Sequence, residues 1–119
     1  MDLGFGGEHV VRWESGWTVA LEFSGGFEVR IETAFVVRSA GSERHVTPGD
    51  DVELADLDGA VVSEAVGDDS GGLRIVFQDG TQLLAAADPG FEAWTLAGPD
   101  GLKVVSEPGG GLAVWSAAS

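Results

Sequence analysis

Carboxylates are the side chains this sequence offers most freely for chemistry. They gather in Gly49-Asp50-Asp51, in Asp56-Leu57-Asp58-Gly59 and in Gly67-Asp68-Asp69-Ser70-Gly71-Gly72. Clustered carboxylates ligate calcium, work as acid-base pairs on glycosidic bonds, or attract a cationic partner. Calcium fails on spacing. An EF-hand loop with Gly59 at its sixth position would begin at Leu54 and end at Ala65, and neither is a ligand. The acid-base pair would be Glu28 and Glu32, which share one strand face with Arg30 between them and read as a solvated face with its own counter-ion. The third chemistry remains, carried by Asp50, Asp51, Glu53, Asp56 and Asp58 in one short segment.

Other reactive groups are sparse. His9 and His45 are the only histidines, without metal-ligand spacing, and cysteine is absent. The chain has no Gly-x-Ser-x-Gly elbow, phosphate-binding Gly-Lys-Ser/Thr or dinucleotide glycine pattern. No catalytic residue, cofactor or metal is expected, and the reading is non-enzymatic. Four tryptophans stand out instead. In Phe91-Glu92-Ala93-Trp94-Thr95-Leu96, parity puts Glu92, Trp94 and Leu96 on one face, so Trp94 is either a core residue or an interface anchor with Glu92 beside it. Trp115 has the same two-faced setting, and the two indoles are expected to pack together.

With 20 acidic against 6 basic residues the formal net charge is −14, which repels nucleic acid and anionic lipid and favours a basic protein partner. Neither an apolar run long enough to span a bilayer nor a signal-peptide pattern is present, and a cytoplasmic monomer or homodimer is expected.

These groups must be positioned by strands. Val19, Leu21 and Phe23 alternate inward, as do Phe27, Val29 and Ile31, joined through Ser24-Gly25-Gly26. The grammar returns in Leu73, Ile75 and Phe77 followed by Asp79-Gly80, at a constant offset of 54 from Leu21, Phe23 and Gly26. Upstream, the valine pairs Val10-Val11 and Val61-Val62 suggest an offset of 51. The expected organisation is a single domain over 1–119, with an internal duplication (about 3–38 and 57–97) and a C-terminal hairpin at about 101–116. Thr47 as cap, Pro48 at the first turn and Gly59 as stop predict a linking helix at about 48–57. The fold class is mainly β: an antiparallel β-sandwich or split barrel of about ten short strands in two similar halves, with one short connecting helix.

The Phe-x-x-Gly hairpins at Phe23–Gly26 and Phe77–Gly80, with Arg30 to Phe35, Phe91 to Trp94, Gly98 to Gly101, and Pro108 to Trp115, form a further pattern. In these runs the chain resembles a bacterial family of small proteins known as a domain of unknown function, number 6188. The chain departs from the family at Phe91, where tyrosine is usual. The resemblance implies no activity, but a compact acidic domain of this kind is similar to immunity proteins that neutralise basic bacterial toxins. The leading expectation is therefore a protein-binding module, with an inhibitor of that type as its most specific form. The alternative is a small-ligand β-barrel with Trp13, Trp17, Trp94 or Trp115 lining a pocket between the sheets.

Overall fold

The computed structural model describes residues 1–50 and 52–116. Eleven strands form two antiparallel sheets packed face to face, an open sandwich and not a closed barrel. One sheet has the order β1-β2-β3-β9-β10-β11, built from Val10–Ser15, Val19–Phe23, Phe27–Ile31, Trp94–Ala97, Lys103–Ser106 and Leu112–Trp115. The other has the order β5-β4-β8-β7-β6, built from Ser42–Val46, Phe35–Ser39, Gln82–Ala85, Leu73–Phe77 and Val62–Gly67. No helix among the described residues is long and apolar enough to cross a membrane.

Register explains why alternation buries the right residues. Trp13, Leu21, Val29, Leu96, Val104 and Val114 form one inner row, and Ala65, Ile75, Leu83, Val37 and Arg44 form the facing one. Both feed a single core cluster. Phe5, outside any strand, plugs one end against Phe23 and Phe27, at ring distances of 4.8 and 5.5 Å.

The same backbone pattern occurs twice. The meanders β1-β2-β3 and β6-β7-β8 pair Leu21 with Val29 and Ile75 with Leu83, each carrying the offset of 54. Both have a register shift in the first strand, between Val10 and Arg12 and between Val62 and Glu64. The shift makes Val10 equivalent to Val62, so the upstream offset is 52 and not the 51 expected from the valine pairs. Hydrogen bonds agree: Val10 N donates to Ala60 O (3.0 Å) and Val62 N to Glu8 O (2.8 Å), around a bridge between His9 and Val61. Each meander then pairs with the hairpin that follows the other, β3 with β9 and β8 with β4. The twofold pattern fails at one place. β11 covers the outer edge of β10, whereas its counterpart β5 has no strand on its outer edge among the described residues.

The expected helix over 48–57 does not form. Asp50 N closes a turn on Thr47 O (3.1 Å), and Gly49 at φ +96° takes the chain out of helical space. Only the 3₁₀ turn Ala55–Leu57 follows. Leu54 and Leu57 are fully buried, and a three-residue spacing on a 3₁₀ turn drops both into the core from a surface segment.

Candidate functional site

The segment after β5 is held by one arginine. Arg44 lies in the inner row, but its guanidinium turns out to the segment, where Nη1 donates to Glu53 O (2.9 Å) and Nη2 to both carboxylate oxygens of Asp56 (3.0 and 3.1 Å). Glu53 Oε1 accepts from Ala55 N at 2.9 Å. Asp56 therefore works as a latch, with its charge opposed from within. Asp50 and Asp58 are exposed with no ion-pair partner among the described residues, and Glu53 keeps its charge unopposed by any arginine. Asp51 lies outside the described residues. Arg44 ties Glu53 and Asp56 to β5, whereas Asp58 lies where the segment reaches β1, with the adjoining Gly59 N donating to Val10 O (3.0 Å). No hydrogen bond or ion pair joins these acids to Glu92, which is exposed in the connection between β8 and β9.

Trp94 is not a surface anchor. Its side chain is completely buried, and its Nε1 donates to Gly71 O at 2.9 Å, an acceptor shared with Ser106 Oγ at 2.8 Å. The strand begins only at Trp94, so Phe91 and Glu92 fall in the preceding loop and the expected parity does not extend to them. The indole needs a buried hydrogen-bond partner, and the Gly71 carbonyl supplies it. Nor do Trp94 and Trp115 pack together. Trp115 stays half exposed on β11, with Lys103 Nζ 5.8 Å from its ring centroid. Trp17 is 93% exposed, and Trp13 is half-buried at the core's margin. The four tryptophans thus range from the core to full exposure and do not converge on one space between the sheets.

Each of the five arginines is engaged by the chain's own acids: Arg12 with Glu14 and Glu22, Arg30 with Glu28, Arg38 with Glu43, Arg44 with Asp56, and Arg74 with Glu64. Glu28 is thus an ion-pair partner, and Glu32 lies beyond the end of β3. Other carboxylates serve turns. Asp2, Asp79 and Asp88 each accept from the backbone N–H two residues on, at 2.8 to 2.9 Å. Hydrogen bonds from Thr81 hold the Asp79 carboxyl below the usual range. Asp68 is held below it by the Ser70 hydroxyl and then by the Gly72 N–H. Among the described residues no group of three or more His, Asp or Glu side chains is arranged to hold a metal.

A second feature lies on the outer face of the five-stranded sheet, where a trough of about 570 Å³ runs over Val36, Leu84 and Val66, with Asp68 and Gly72 at one end. Sequence reasoning missed it. The only signal was that Leu84, Ala86 and Val36 are apolar at outward parity.

The sequence matches, over residues 1–116, a family described as a family of unknown function (DUF6188). No curated protein and no solved structure matches the chain.

Proposed function

The chain belongs to the DUF6188 family of unknown function, which hands it no activity, and on that premise we propose that it is a non-enzymatic protein-binding module for a basic partner protein. The mode would be that of an inhibitor of a basic bacterial toxin. One observation carries this reading: all five arginines are spent on internal ion pairs, which leaves Lys103 as the one lysine against a much larger number of surface carboxylates. Such a field steers a cationic protein and raises its association rate. Asp50 and Glu53 supply charge in the segment that follows β5 and Asp58 adds to it farther along, while the edge of β5, unpaired among the described residues, offers backbone groups to an extended segment of the partner. Asp56 contributes by holding that segment in place, and Trp94 contributes only to the core.

The test is capture from the source cell's lysate on the immobilised chain, washed at about 50 mM and about 500 mM salt. The expected result is one basic protein, retained at low salt, released or much reduced at high salt, and not retained by the Asp50→Asn, Glu53→Gln, Asp58→Asn triple variant. Equal retention by the triple variant contradicts the reading, as does a column that holds no basic protein.

A further inference from the structure

The twofold pattern provides an internal control for the trough. Across the five-stranded sheet the outward row that floors it is His45, Val36, Leu84, Arg74 and Val66. The equivalent row of the six-stranded sheet is Val105, Thr95, Arg30, Ala20 and Glu14. The fold therefore does not require apolar residues at these places. Only the smaller sheet puts valine, leucine and valine there, leaving them half-buried with no other strand over them among the described residues. The volume of this open trough is in the range of small-ligand sites.

Chemistry at the end of the trough narrows the ligand. Asp68 Oδ1 accepts from Ser70 N, Ser70 Oγ and Gly72 N, the two backbone bonds both at 2.9 Å. Its Oδ2 has no protein partner among the described residues. That oxygen lies over Gly72, where an added Cβ would meet it at 2.5 Å, so the absence of a side chain at residue 72 lets the carboxylate pack there. The same hydrogen bonds, with a smaller contribution from the Met1 ammonium that donates to Gly67 O at 2.6 Å, keep the carboxylate ionised, and Oδ2 is its free acceptor. Arg74, the cation in the floor, has its Nη2 3.3 Å from Glu64. Glu64 lies two residues from Val66 along β6 in the direction opposite to Asp68, so the guanidinium is drawn away from the Asp68 end.

We propose that this trough binds small organic cations with an apolar body, the body resting on Val36, Leu84 and Val66 and the ammonium group meeting Asp68 Oδ2. The chain's net charge of −14 raises the local concentration of such ligands. The site is independent of the protein-binding reading and uses none of the residues between 50 and 58.

Hexylammonium, hexanoate and hexanol are the probes, titrated into the ¹⁵N-labelled full chain and followed by amide shifts. Hexylammonium should shift residues 36, 66, 72 and 84 saturably, with hexanol at least about tenfold weaker and hexanoate weaker still. Asp68→Asn, which keeps an oxygen for the Ser70 and Gly72 N–H groups, should weaken hexylammonium to the level of hexanol and leave hexanol unchanged. Leu84→Lys, which does not touch the Asp68 turn, should abolish hexylammonium binding and serves if the first variant does not fold. Equal binding of the three probes overturns the proposal. So do non-saturating shifts scattered over other carboxylates, and so does a lysine-rich peptide that perturbs these residues where hexylammonium does not.

Discussion

Trp94 decides between a core and an anchor role, and the Gly71 carbonyl makes the difference measurable. That buried acceptor takes two donors, Trp94 Nε1 and Ser106 Oγ. Ser106→Ala removes one and leaves the carbonyl bonded, so it costs a net hydrogen bond, about 1 kcal/mol. Trp94→Phe removes the other donor and opens part of the indole's volume in a fully buried site, at about 2–3 kcal/mol. The double variant leaves the carbonyl without a partner, which adds a desolvation penalty of about 1–2 kcal/mol beyond the sum of the single effects. Urea unfolding of the four proteins, with midpoints and slopes fitted together, reads that excess. Single effects that add to within about 0.3 kcal/mol would refute the shared buried acceptor. A Trp94→Phe cost below about 0.5 kcal/mol would refute burial itself and return Trp94 to the surface.

Three further outcomes follow from the same geometry. Asp68 has a folded-state pKa below its unfolded value, so its contribution to stability is present above the ordinary carboxylate pKa of about 4 and is lost as pH falls through the lower folded value. Acid titrations of stability should therefore be shallower below about pH 4 for Asp68→Asn than for the parent, and identical profiles would contradict this. Arg44→Ala frees the segment from Glu53 O and Asp56 at a cost of about 1 kcal/mol, and limited proteolysis should then cut first between residues 47 and 58; an unchanged cleavage pattern would contradict the latch. Gly71→Ala places a Cβ 3.0 Å from both Ala87 Cβ and Gly111 O at φ +89°, and a calorimetric scan should show a loss of about 2–3 kcal/mol; a loss below about 0.5 kcal/mol would show that the turn relaxes freely.

The two meanders were legible because period-two alternation and glycine turns are local signals, and Val19 to Phe23 and Leu73 to Phe77 carry both. β5 was not. Ser42-Glu43-Arg44-His45-Val46 shows no apolar alternation, since of its inward positions only Val46 is apolar and the central one is an arginine that reaches out to Asp56. Thr47-Pro48 opens a helix or a turn equally well, and what decided was tertiary: Leu54 and Leu57 had to reach the core after Gly49 had turned the chain. Of the expected contact residues, Asp50, Glu53, Asp56 and Asp58 share one short segment by sequence, but only Glu53 and Asp56 are tied to β5. The role of Asp56 depended on an arginine in another element, and Trp94's on a carbonyl 23 residues away. The trough was illegible for the same reason. Val36 and Leu84 meet only through the pairing of β4 with β8.

The most direct test of the central claim is amide hydrogen exchange of the chain free and bound to the basic protein it captures. Docking at β5 predicts slowed exchange in residues 42–46 and 52–58, with the edges at β1 and β11 unchanged. Protection confined to β1, to β11 or to the connection around Glu92, with β5 exchanging as in the free chain, would contradict it.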